Sequence, residues 1–291
     1  MSVALGDAMT YQTIISVEDL NNNLSTQDWF IFDCRFLLKD PEGGLKKFNQ
    51  GHIPGAQFAD MDKDLASPVT PASGRHPLPD PNEFIKKLQF WGVNNSSQII
   101  CYDDISGAFA ARMWWLLKWL GHNDVAVLDG GIDKWIASGL SIEKNVKQSA
   151  VGTFCGQANN DMWVDVEFVQ KELEQNKINL LDARSRERFT AKDTKTDPVA
   201  GHVPGAMSFP FAENLSKQGV FLSADELQQR FALIVSNTDS KGVINMCGSG
   251  VTACHNLLAM SIAGLPLARL FVGSWSEWIK DKSRPVATGE V

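Results

Sequence analysis

The segment Gly51-His52-Ile53-Pro54-Gly55-Ala56 returns half a chain later as Gly201-His202-Val203-Pro204-Gly205-Ala206. Upstream, Phe32-Asp33-Cys34-Arg35 is matched by Leu181-Asp182-Ala183-Arg184. Downstream, the run from Leu128 to Trp135 is echoed by the run from Leu270 to Trp278, in the same order. A period this long exceeds that of solenoid repeats and signals a duplicated domain. Whatever fold one half adopts, the other must be able to adopt as well.

The hydrophobic pattern says which fold that is. Short apolar runs at 29–32, 97–102 and 125–128 read as strands buried on both faces, separated by helical or loop segments. Their counterparts lie at 179–181, 242–246 and 267–271. The expected class is α/β, with two similar domains, each a mostly parallel sheet flanked by helices. The segment from Ala108 to Leu120 reads as a buried helix ending near Gly121, with Trp114, Trp115 and Trp119 in the core. Residues 144–160 are polar and aperiodic and read as a linker, which sets expected domains at 10–143 and 161–288.

One position carries the chemistry. Cys247 follows the apolar run 242–246 and opens the loop Cys247-Gly248-Ser249-Gly250-Val251-Thr252, which leads into a helical segment from Ala253 to Ala263. A thiol at a strand end, before glycine-spaced residues and a helix N-terminus, sits where backbone N–H groups converge and where the helix dipole favours thiolate. Gly248 and Gly250 are expected to supply left-handed backbone geometry there. The alternative is a small apolar core cysteine, the common fate of an unpaired thiol. In the first copy, Asp103 stands at the position of Cys247, and Asp104-Ile105-Ser106 lacks the glycine spacing. That copy is expected to be inert and to supply one wall of an interdomain cleft.

Composition narrows the class. A formal net charge of −7 argues against nucleic acid or an anionic membrane as partner. The first residues, Met1 to Asp7, show neither a basic start nor a long apolar stretch, so a cytoplasmic location is expected. Cysteines 34, 101, 155, 247 and 254 form no disulfide framework and no Cys-x-x-Cys metal spacing, so no metal is expected, and a reducing compartment would keep the thiol free.

The paired Gly-His-Ile/Val-Pro-Gly-Ala segments, the Gly273-Ser274-Trp275-Ser276-Glu277-Trp278 ending and the Cys247 loop together resemble the tandem-domain rhodanese family of sulfurtransferases, over nearly the whole chain. Within the family, a loop reading Cys-Gly-Ser-Gly-Val-Thr resembles that of the mercaptopyruvate-using members, whereas thiosulfate-using members typically carry Cys-Arg-Lys-Gly-Val-Thr. The resemblance implies that Cys247 takes sulfur from 3-mercaptopyruvate as a persulfide, releases pyruvate, and passes the sulfur to cyanide or a thiol such as thioredoxin. No organic cofactor is implied. It further implies a Ser249-His76-Asp62 set, with Asp60 and Asp64 as near neighbours of Asp62, and makes Arg188 the substrate-binding arginine. Arg184 is a weaker candidate, because its repeat-mate Arg35 lies in the copy without the nucleophile. The family often supplies a second arginine from a Glu-Pro-Arg segment, but Asp197-Pro198-Val199 stands there, with Lys192 and Lys195 as nearby cations.

Three other readings compete. A thiosulfate sulfurtransferase would share the persulfide, but its dianionic donor is suited to a cationic loop, and residues 248 and 249 are neutral. A Cys-dependent phosphatase needs Cys-x5-Arg, and the sixth residue after Cys247 is Ala253. A non-catalytic persulfide-binding module would have little use for the intact loop. Cys254, seven residues after Cys247, is read as packing before a resolving thiol, and His52 and His202 as structural.

Overall fold

The computed structural model describes residues 10–146, 149–236 and 240–290; the amino-terminal run Met1–Asp7 lies outside them. The first half contains strands β1 (Ile14–Ile15), β2 (Trp29–Asp33), β3 (Ala56–Phe58), β4 (Gln98–Tyr102) and β5 (Val125–Leu128). Its helices are α1 (Val17–Asn23), α2 (Gly43–Gln50), α3 (Pro81–Phe90), α4 (Ala110–Trp119) and α5 (Gly131–Ala137). The second half repeats the pattern with β6 (Trp163–Val164), β7 (Asn179–Asp182), β8 (Met207–Ser208), β9 (Val243–Met246) and β10 (Arg269–Phe271). Its helices are α6 (Val166–Glu174), α7 (Arg186–Phe189), α8 (Ala224–Ser236), α9 (Ala253–Ile262) and α10 (Ser274–Trp278).

Both sheets are five-stranded and wholly parallel, in the orders β1-β5-β4-β2-β3 and β6-β10-β9-β7-β8. Every residue of β4, β5 and β9 is buried, which is why their sequences are mostly apolar with no in-out alternation, Gln98 and Asn245 being the polar exceptions. Because all strands run one way, the chain leaves β4 and β9, the middle strand of each sheet, at the same kind of edge. Ligands gather at such carboxyl-terminal edges in open α/β sheets.

The repeated histidines hold the fold. His52 stacks on Phe48 at 3.9 Å and His202 on Phe189 at 3.7 Å, each with Nδ1 2.9 Å from that partner's carbonyl oxygen. The repeated Asp-x-Arg pairs do the same: Arg35 clamps Asp33 and donates to Gly51 O, while Arg184 clamps Asp182 and donates to Gly201 O.

The halves share a core. Helix α4, with Trp114, Trp115 and Leu117, and helix α9, with Leu257 and Leu258, belong to one buried cluster that also takes in Cys247 and Phe231. Packing α4 on α9 brings first-half loops over the Cys247 loop. The described part of 144–160 lies along the first half: Gly152 N donates to Gln89 O, Phe154 N to Val93 O and Asn159 N to Trp119 O, with Phe154 fully buried. One aromatic side chain and these backbone bonds dock an otherwise polar stretch.

Candidate active site

Cys247 immediately follows β9 and is 2% exposed, at the base of a cavity of about 190 Å³ between the halves. Its sulfur accepts from Ser249 N at 3.5 Å. Two bonds strap its loop to α10: Trp275 N donates to Cys247 O at 3.0 Å and Ser276 N to Gly248 O at 2.9 Å. The amide of Cys247 donates to Ser274 Oγ at 3.1 Å, and that hydroxyl donates onward to Phe271 O at 2.8 Å. Ser274 achieves this from a left-handed backbone, φ 52°, where the first half has Gly131 at φ 60°.

The two loop glycines serve different ends. Gly250 has φ 75°, and a Cβ there would lie 2.4 Å from Val272 O, so glycine is required on both counts. Gly248 is not left-handed, contrary to the expectation from its sequence. A Cβ at 248 would instead lie 2.7 Å from Arg188 Nη2 and 2.8 Å from Arg75 Nη2, so its bareness lets two guanidiniums close over the loop.

Ser249 Oγ lies 2.7 Å from His76 Nδ1, across 173 residues of chain, and His76 Nε2 lies 3.1 Å from Asp62 Oδ1. The Asp62 carboxylate makes Nε2 the protonated nitrogen and leaves Nδ1 to accept from the serine hydroxyl. Asp60, the alternative, accepts instead from the amides of Asp62 and Lys63 and so shapes the turn. Burial, the dominant influence, lowers the His76 pKa below its ordinary value. Asp62 opposes that shift, and Arg112 and Arg75 add to it.

Arg188, on α7, lines the cavity with its side chain 19% exposed. Its Nε and Nη2 grip Asp197 at 2.8–2.9 Å. Arg184 departs from the candidate role. Its side chain is fully buried, paired with Asp182, packed over the Trp275 ring at 4.8 Å and outside the cavity lining. Lys192 and Lys195 are both exposed and outside the lining, and Lys192 pairs with Glu290.

Two arginines escaped the sequence reading. Arg75, next to His76, lines the cavity, donates its amide to Ser276 Oγ at 2.9 Å and sends Nη1 to Asp197 at 3.3 Å. Arg112 is buried in α4 and donates to Gly250 O at 3.2 Å, His76 O at 3.3 Å and Pro77 O at 3.4 Å. One guanidinium thus joins the nucleophile loop to the histidine loop. An arginine among the fully buried positions of the mostly apolar run 108–120 was the available signal. Val251 and Thr252 line the cavity beside Phe36, Phe109 and Phe211. Cys254 is fully buried, its thiol donates to Gly250 O at 3.4 Å, and burial raises its pKa to about 12.

In the first half, the Asp103 carboxylate fills the equivalent loop. It accepts from the amides of Ile105, Gly107, Phe109 and Ala110 at 2.7–2.9 Å. Ile132 N donates to Asp103 O at 3.0 Å, as Trp275 N does to Cys247 O. Among the described residues, no group of three or more His, Cys, Asp or Glu side chains is placed to hold a metal ion.

The rhodanese-like domain profile matches residues 16–138 and again 165–281. The chain belongs to the rhodanese family. It is 47% identical over 284 residues to a protein of Pseudomonas aeruginosa named as a probable 3-mercaptopyruvate sulfurtransferase, covering 97% of this chain and 100% of that one. It is 33% identical to the 3-mercaptopyruvate sulfurtransferase of Rattus norvegicus, covering 90% and 88% of the two chains. The 3-mercaptopyruvate sulfurtransferase structure from Leishmania major superimposes with a TM-score of 0.83 at 30% identity, covering 94% of this chain and 75% of that one. This rhodanese-family chain is therefore one tandem pair, with its cysteine loop in the second domain.

Proposed function

We propose that this chain is a 3-mercaptopyruvate sulfurtransferase whose catalytic domain spans 161–288 and whose first domain, 10–143, contributes His76, Asp62, Arg75 and Arg112 to the site. The Cys247 thiolate attacks the donor sulfur, the C–S bond breaks with its electrons on carbon, and a Cys247 hydropersulfide and pyruvate enolate form. Neutral His76 takes the persulfide proton through Ser249 and returns it to the enolate carbon, so the step is proton-neutral and yields pyruvate. A thiolate acceptor then attacks the outer sulfur and restores the Cys247 thiolate; cyanide would leave as thiocyanate. Arg188 and Arg75 hold the donor carboxylate beside Gly248, where their Nη2 atoms converge.

The observation that carries this reading is the unbroken Ser249–His76–Asp62 chain next to Cys247. Sulfur transfer from thiosulfate releases sulfite and leaves no carbanion to protonate, so it gives such a chain nothing to do. The similarity to proteins named for mercaptopyruvate over nearly full length supports the same choice. The first domain is read as inert, because a carboxylate already saturated by four amides offers neither a sulfur nucleophile nor an open anion cradle. Sulfur donors and acceptors are small molecules or thiols; among the described residues, no helix is long and apolar enough to cross a membrane. Steady-state kinetics with both donors is the test. A higher kcat/KM for mercaptopyruvate is expected, and a higher value for thiosulfate would reverse the assignment.

A further inference from the structure

Asp197 opens the segment Asp197-Pro198-Val199, and its side chain is almost wholly buried behind the cavity wall. It accepts from three guanidiniums: Arg188 through Nε and Nη2, Arg75 through Nη1 at 3.3 Å, and Arg184 through Nη1 at 3.4 Å. Arg184 is also paired with Asp182. Three cations therefore face two carboxylates, and the cluster keeps one net positive charge toward the donor. Arg112, whose Nη1 and Nη2 donate to backbone carbonyls, offsets the Cys247 thiolate.

We propose that Asp197 is a specificity-determining residue: it holds the donor pocket at a single positive charge and so selects a donor bearing one negative charge over a dianion. The inference rests on the reading of Cys247 as the sulfur-accepting centre. A carboxylate donor such as mercaptopyruvate matches that charge. Thiosulfate brings two, and its transfer, in which Cys247 thiolate takes the outer sulfur and sulfite leaves with the S–S electrons, leaves both negative charges on the departing group. The neutral residues at 248 and 249 do not make the pocket neutral. Its cations come from the sides, and one carboxylate sets their sum.

Asp197→Asn keeps an oxygen acceptor and removes the charge. It should raise the thiosulfate-to-mercaptopyruvate ratio of kcat/KM by about tenfold, the order expected of one uncompensated charge roughly 12 Å from the donor in a medium of effective dielectric about 20. Raising ionic strength should erode the gain. Asp197→Glu, which retains the charge, should keep the ratio near wild type. Calorimetric binding of pyruvate and of sulfate reads the same preference without turnover: sulfate should tighten relative to pyruvate in the Asn variant. A folded Asn variant with both ratios within about twofold of wild type, or a Glu variant that shifts as far as Asn, overturns the proposal. If neither variant folds, wild type decides, because sulfate binding tighter than pyruvate at low ionic strength contradicts a singly charged pocket. Wild type that forms no persulfide from mercaptopyruvate would sink the functional reading, while the binding ratios would still judge the charge account.

Discussion

Ser274 holds the amide of Cys247: from a backbone φ of 52° its hydroxyl accepts that N–H at 3.1 Å. A non-glycine residue in this conformation costs about 1–2 kcal/mol, and the first domain avoids the cost with Gly131. Ser274→Gly relieves the strain and removes the hydroxyl, gains and losses of about 1 kcal/mol each. The variant should melt close to wild type but form persulfide several-fold more slowly, as read by stopped-flow. Full speed in the glycine variant would show that the amide needs no tether.

The proton chain predicts a pH signature. His76 must be neutral to accept from Ser249, and burial lowers its pKa from 6.5. The acid limb of kcat with mercaptopyruvate should therefore fall below pH 6.5. Asp62→Asn deletes the influence that raises the pKa, so the limb should move lower still while turnover drops. Ser249→Ala and His76→Ala should each cost roughly 10²–10⁴ in kcat with mercaptopyruvate, and much less with thiosulfate. Equal losses with both donors would remove the proton-handling role.

Arg188 and Arg184 should separate cleanly. Loss of a charge-assisted contact, about 1.5–3 kcal/mol, predicts a rise in KM for mercaptopyruvate of roughly ten- to a hundredfold in Arg188→Ala, with Arg75→Ala behaving alike. Arg184→Ala strands the buried Asp182 carboxylate, so unfolding should become about 3–5 kcal/mol easier. A stable Arg184→Ala enzyme with a raised KM would return that residue to the substrate site.

His255 joins α9 to the first domain: Nε2 lies 3.1 Å from Ser106 O and Nδ1 3.2 Å from Asn214 Nδ2, so the ring is a neutral donor and acceptor at once. Burial lowers its pKa from 6.5 to about 4. Above pH 6.5 both folded and unfolded states are neutral and the group contributes nothing. Between 6.5 and 4 the unfolded chain binds the proton first, so stability falls with pH by about 3 kcal/mol in total. Urea titrations of wild type and His255→Gln should show a shallower acid loss in the variant. Parallel curves would place the acid sensitivity elsewhere.

The fold was legible because each half writes the same local devices twice: the strand runs, the stacked histidines and the Asp-x-Arg clamps are short-range in sequence. Cys247 was legible for the same reason, since strand, nucleophile and loop are contiguous. Arg75, Arg112 and Asp197 were not. Their roles arise where separate segments converge, and a charge sum over such a cluster has no sequence period. Gly248 shows the limit of composition. Its need for a missing Cβ was visible, but two distant guanidiniums cause it, and the backbone angle does not. Arg184 matched the expected residue type yet was already held by Asp182, as its repeat-mate Arg35 is by Asp33.

The central claim is that Cys247 alone carries the transferred sulfur, and intact-protein mass spectrometry after mercaptopyruvate addition tests it. Wild type should gain one sulfur per chain, mapped to Cys247, with one pyruvate released per sulfur. Cys247→Ser should remain folded and gain none. Sulfur retained by the serine variant, found on Cys254, or absent from wild type while pyruvate accumulates would contradict the account.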